Sequence, residues 1–132
     1  MNEKLSTNTQ PKKILVIEDD AILSSALVDN LTFEGFEVII AKDGEEGVAL
    51  ALEKMPDLIL LDILLPKKDG LSALTELRRD AWGKNVPVIV LSNLSEPSGI
   101  ASAMGADVYE YLLKVDWKIE DVVKRVRAML KM

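Results

Sequence analysis

The chain has 132 residues, a formal net charge of -6, 48% hydrophobic and 29% charged residues, and neither cysteine nor histidine. That length fits one domain able to bury its own core, and the acidic balance argues against general affinity for nucleic acid or anionic membrane. Without Cys or His there is no disulfide, no thiolate or imidazole metal site and no histidine base, so any metal site must be oxygen-rich, favouring Mg2+, Ca2+ or Mn2+. No apolar run reaches the roughly 18 residues of a membrane span. Residues 1–10 are polar and lack a signal-peptide core, so they are expected to form a flexible tail ahead of a single domain over 11–132.

Along the chain, strand-like and helix-like patterns alternate. Lys13 to Ile17 is a short apolar run suited to a strand buried on both faces. Ala21 to Glu34 places Leu23, Ala26, Leu27 and Leu31 at helical spacing, and Gly35 is a natural stop. Glu37 to Ala41 is a second strand. Asp43-Gly44-Glu45-Glu46 has capping-box spacing and opens a helix to about Lys54. Pro56-Asp57 breaks the chain before a third strand, Leu58 to Leu61. A loop with Pro66, Lys67, Lys68, Asp69 and Gly70 leads into a helix from Leu71 to about Asp80, and Val86 to Leu91 forms a fourth strand. Ser95-Glu96-Pro97 starts a helix poor in intrinsic propensity, ending at Gly105. Val108 to Leu113 is the fifth strand. Asp116 is expected to cap the last helix, whose apolar stripe is Ile119, Val122, Val123, Val126 and Leu130. Trp82 reads as a surface-loop aromatic and Trp117 as a first-turn packing residue.

This βαβαβαβαβα order predicts a doubly wound α/β fold, an open parallel sheet with helices on both faces. Ligands of such sheets gather beyond the carboxyl ends of the strands. Glu18 and Asp19 follow the first strand, Asp62 the third, Ser92 the fourth and Lys114 the fifth. Clustered carboxylates disfavour one another's ionisation unless a cation sits among them, and Mg2+ suits a few carboxylates plus water. A carboxylate beside Mg2+ and a lysine is also suited to accept a phosphoryl group.

The set Glu18-Asp19, Asp62 through Pro66 with Asp69-Gly70, Ser92, Tyr111 and Lys114 resembles the receiver domain of two-component response regulators, in the CheY-like, stand-alone form. The resemblance runs from about Pro11 to Met132. It implies a flavodoxin-like (βα)5 domain with a five-stranded parallel sheet of order 2-1-3-4-5. It implies that Asp62 is the phosphoacceptor, that Asp19 and Asp62 hold Mg2+ with Glu18 acting through water, and that the backbone carbonyl of Leu64 completes the protein's ligands. Ser92 would contact the phosphoryl group, Lys114 would pair with it, and Tyr111 would turn inward when Ser92 moves, unless Tyr111 is simply a packed edge aromatic. Partners implied are a sensor histidine kinase or histidine phosphotransfer protein as donor and a downstream protein target, with no nucleic acid or membrane contact by this chain. The phosphorylated form is a candidate homodimer, working through the face made by the helix after Ser95, the fifth strand and the last helix. The expected location is cytoplasmic, and the expected role is a switch rather than an enzyme.

Two positions depart from the family pattern. Val115 follows Lys114 where many receivers have proline, and a cis bond there would cost more than at proline. Leu64 and Leu94, two positions beyond Asp62 and Ser92, carry no polar group to orient water, which predicts a long-lived phosphorylated state. Two other functions remain in view. One is a binding module that uses the fold without phosphorylation. The other is an Mg2+-dependent hydrolase with Asp62 as nucleophile, disfavoured because haloacid-dehalogenase-like enzymes place a second acid where this chain has Leu64.

Overall fold

A computed structural model describes residues 11–62, 70–92, 110–113 and 118–131, with the backbone alone for 71, 92 and 110–113. The expected N-terminal tail, the helix after Ser95 and the Lys114-Val115 bond lie outside the described residues.

Five strands form one parallel sheet: β1 (Lys13–Ile17), β2 (Glu37–Ala41), β3 (Leu58–Asp62), β4 (Val88–Ser92) and β5 (Glu110–Leu113). Their order is β2-β1-β3-β4-β5, the order implied by the resemblance. Four described helices run between or after them: α1 (Ala21–Phe33), α2 (Gly44–Lys54), α3 (Gly70–Arg78) and α4 (Ile119–Met129). Among the described residues no helix is long and apolar enough to cross a membrane.

The apolar runs of β1 and β3 are buried on both faces because helices cover both sides of the sheet. Ile14 through Ile17 and Leu58 through Leu61 are all fully buried. Strand alternation divides them between two cores. Leu15, Ile17, Ile59 and Leu61 meet Val48, Ala51, Ala73, Leu74 and Leu77 of α2 and α3. Ile14, Val16, Leu58 and Leu60 meet Leu27 and Leu31 of α1 and Val122, Val123 and Val126 of α4. Ile119 and Leu130 pack at the edge of that second core, so the stripe expected on the last helix is the buried one. At Gly47 of α2 an added Cβ would stand 2.6 Å from Ile17 Cδ1, so a bare backbone lets this helix close on the end of β1.

The helix ends follow local chemistry. Asp20 caps α1, accepting from Ile22 N at 3.0 Å and Leu23 N at 3.2 Å. Gly35 follows at φ +99, a conformation that favours glycine. Asp43 accepts from Glu46 N, while Glu46 reaches back to Lys42 N, both at 2.8 Å, a capping box with its return bond one residue earlier than usual. Lys118 occupies the N-cap of α4 in place of Asp116, which lies outside the described residues. The Asp121 carboxylate accepts from Lys118 N at 2.9 Å, so an acid inside the helix helps secure this end. Arg127 ties α4 to the far end of α1, bonding Glu34 at 2.6 Å with its guanidinium 5.6 Å from the Phe36 ring centroid.

Met55 closes α2 in the left-handed region, φ 47 and ψ 64. A side chain there costs about 1 kcal/mol relative to glycine, offset in part by the entropy glycine loses on folding. Met55→Gly is expected to leave stability unchanged or raise it by up to about 1 kcal/mol, read from urea denaturation. A loss above that figure would mean that the half-exposed Met55 side chain contributes packing that outweighs its strain.

Element boundaries differ slightly from expectation. α3 runs Gly70–Arg78 rather than Leu71 to Asp80, and β4 starts at Val88 rather than Val86. Trp82 is not a surface aromatic: it is partly buried against the core of β1, β3 and β4.

Candidate functional site

Parallel strands bring their carboxyl ends to one rim. Ile17 pairs in register with Leu61, so the next residues, Glu18 and Asp62, stand beside each other at the ends of β1 and β3. Asp62 in turn pairs with Leu91, and Ser92 is the next residue of β4. Ser92 pairs with Leu113, the last residue of β5, and Tyr111 pairs with Val90. Lys114 and Leu64 lie outside the described residues, so the placement of both rests on the sequence alone.

Glu18, Asp19 and Asp62 converge: each offers a carboxylate oxygen, and these atoms lie within 4.8 Å of one another. Glu18 is 2% and Asp62 5% exposed, whereas Asp19 is open to solvent. Such burial is unusual for carboxylates, which are expensive to desolvate without compensation. The arrangement is held from the backbone outward. Glu18 N donates to Ala41 O at 3.0 Å, extending the β1–β2 ladder one residue past the strand. Glu18 Oε2 accepts from Asp20 N at 3.1 Å, so the residue that caps α1 also braces the glutamate. Sequence reasoning missed this second use of Asp20, because the bond is made by its backbone. Two buried acids and one exposed acid, all oxygen donors, fit a hard divalent cation that keeps part of its water shell. This acidic cluster can bind a metal ion.

A sequence model of the Response regulator receiver domain matches residues 14–127. The chain belongs to the response regulator receiver family. The receiver is 38% identical over 119 residues to the DNA-binding dual master transcriptional regulator RpaA of Synechocystis sp., covering 90% of this chain and 49% of that protein. It is 37% identical over 127 residues to the transcriptional regulatory protein PrrA of Mycobacterium tuberculosis, covering 96% and 53%. The receiver thus spans about half the length of these curated relatives. Among solved structures it resembles the Francisella response regulator 1452 receiver domain, with a TM-score of 0.82, 29% identity and coverage of 91% and 97%. It also resembles the receiver domain of the Pseudomonas aeruginosa sensor histidine kinase PA1611, which has a magnesium ion coordinated in its active-site cleft. There the TM-score is 0.83, with 27% identity and coverage of 93% and 100%. Receivers are signalling switches of two-component systems.

Proposed function

We propose that this receiver is switched by phosphorylation of Asp62. The observation that carries the reading is the convergence of Glu18, Asp19 and Asp62 at the rim of a receiver sheet. An Asp62 carboxylate oxygen attacks the phosphorus of a phosphohistidine on a partner. The new O–P bond makes an aspartyl phosphate, and the broken N–P bond returns its electron pair to the partner's imidazole. Asp19 and Asp62 would bind Mg2+ directly and Glu18 through water, with the Leu64 carbonyl completing the protein's ligands. When bound, Mg2+ offsets charge on the phosphoryl oxygens. The magnesium in the Pseudomonas receiver supports this choice of cation. Ser92 and Lys114 are assigned the remaining phosphoryl contacts, and Tyr111 the accompanying side-chain movement. The donor is a sensor histidine kinase or a histidine phosphotransfer protein, since this chain has no histidine of its own. The added charge biases a two-state equilibrium toward a form that engages a downstream protein or a second copy of the chain. A cytoplasmic setting follows from that partnership, and the chain catalyses only its own gain and loss of phosphate.

The test is intact-mass spectrometry after incubation with acetyl phosphate, with and without Mg2+, on the wild type and Asp62→Asn. A single Mg2+-dependent phosphoryl adduct, lost in the variant, is expected. Its absence under every condition would leave a receiver-fold binding module that works without phosphorylation. Following the adduct over time checks the long-lived state predicted from Leu64 and Leu94: slow spontaneous loss is expected, and rapid loss would sink that part of the reading.

A further inference from the structure

At the opposite end of the sheet from the acids, the entry to β3 and the loop before β4 line an open, shallow pocket of about 370 Å3. It is lined by Pro56, Ala81, Trp82, Val86 and Pro87, with Asp57 and Asn85 as its polar residues. The volume falls in the range of small-molecule sites, while the lining is about equally polar and apolar and open to solvent, which suits a small, charged ligand held weakly.

The pocket is firmly built. Arg78 Nη1 donates to Gly83 O at 2.7 Å and Val86 O at 2.8 Å. Asp80 Oδ2 accepts from Trp82 N at 2.9 Å and Gly83 N at 3.3 Å. These bonds hold the loop that carries Trp82 and Asn85. On the other wall, Asp57 Oδ2 accepts from Lys13 N at 2.8 Å, which fixes the carboxylate at the strand entry. Its second oxygen, the Trp82 indole N–H and the Asn85 amide make no hydrogen bond among the described residues, and no ion pair there engages Asp57. A partly exposed carboxylate oxygen held from one side therefore borders an aromatic and two prolines, with no cation paired to it among the described residues.

We propose that this pocket binds a small organic cation with a flat apolar body, an aryl amidinium or aryl guanidinium. The charged planar group would bond Asp57 Oδ1 and reach Asn85, a charge-assisted contact. The ring would lie against Trp82, whose face also attracts positive charge, and against the prolines. Asp57 and Asp62 bracket β3, about 16 Å apart at strand rise, so this site is separate from the acidic cluster and independent of its proposed role.

Benzamidine and its neutral counterpart benzamide are the probes, titrated into the 15N-labelled chain and followed by NMR. The Trp82 indole signal is assigned with Trp82→Phe. Benzamidine should shift the Trp82 indole and Asn85 signals saturably, with a Kd of about 1 mM for so small a ligand. Benzamide should bind at least about 10-fold more weakly, as should benzamidine to Asp57→Asn, which keeps an oxygen for Lys13 N but loses the charge. Equal responses to the two probes, undiminished binding by a folded Asp57→Asn, or no saturable shift up to about 20 mM would overturn the proposal. Should Asp57→Asn fail to fold, the comparison of the two probes on the wild type decides alone.

Discussion

Asp62→Asn should melt at a higher temperature than the wild type without divalent cations, and Mg2+ should then raise its melting temperature little. Glu18 and Asp62 are buried at 2% and 5% exposure, and the three carboxylates offer oxygens within 4.8 Å of one another. At or inside that separation and at an effective dielectric near 20, a pair of like charges repels by about 3.5 kcal/mol or more before screening. Water and salt screen the share of exposed Asp19. Asparagine keeps the shape and removes one charge, so a gain of about 1–2 kcal/mol is expected, or roughly 3–10 °C in a domain of this size. In the wild type a cation bound as proposed would offset the same repulsion. At a concentration about 100 times its Kd it stabilises by about 2.7 kcal/mol, and the variant should lose most of that. Thermal melts in EDTA and in Mg2+ measure both quantities. An unchanged metal-free melting temperature combined with a full Mg2+ response would show that Asp62 does not share the cation.

Gly83→Ala should destabilise the fold by about 2–4 kcal/mol, through overpacking and lost hydrogen bonds. An alanine Cβ would stand 2.0 Å from the Leu77 carbonyl oxygen and 2.8 Å from its carbon. Both are backbone atoms, and Leu77 is fully buried in the core, so α3 cannot step aside. The loop must move instead. Its movement pulls Gly83 O from Arg78 Nη1 and Gly83 N from Asp80 Oδ2, and it loosens Trp82. A urea midpoint well below that of the wild type, with an unchanged slope, is the expected result. A midpoint within error of the wild type would show that the loop accommodates the methyl group at no cost.

The parts of the fold legible in the sequence are those where one physical rule dominates. Parallel strands covered on both faces must be continuously apolar, so Ile14–Ile17 and Leu58–Leu61 declare themselves. Gly35 marks the end of α1 because few other residues tolerate its φ. The convergence of Glu18, Asp19 and Asp62 was also legible, since strand ends in such a sheet share a rim. What escaped was set by contacts distant in sequence or made by backbone atoms. Lys84 and Asn85 give the Trp82 loop a polar, surface-like composition, but Arg78 and Asp80 fold it back onto the core. Val86 and Pro87 look like strand, yet Arg78 takes the Val86 carbonyl and proline has no N–H for a ladder. The last helix begins after Lys118, two residues beyond the Asp116 that local sequence suggests as its cap, and Asp121 serves that end from within. Nothing in local sequence announces that Asp57 bonds Lys13 N, 44 residues away.

β1 lies between β2 and β3, so the strand written first in the chain is an inner strand of the sheet. Its ladder with β3, from Ile14–Leu58 to Ile17–Leu61, cannot close until Leu61 has been synthesised. At translation rates of about 5–20 residues per second, that leaves roughly 2–9 seconds after Ile17 is added. Through that interval Ile14-Leu15-Val16-Ile17 is an apolar segment with at most one neighbouring strand. The yield of folded protein therefore depends on whatever shields those four residues on the nascent chain.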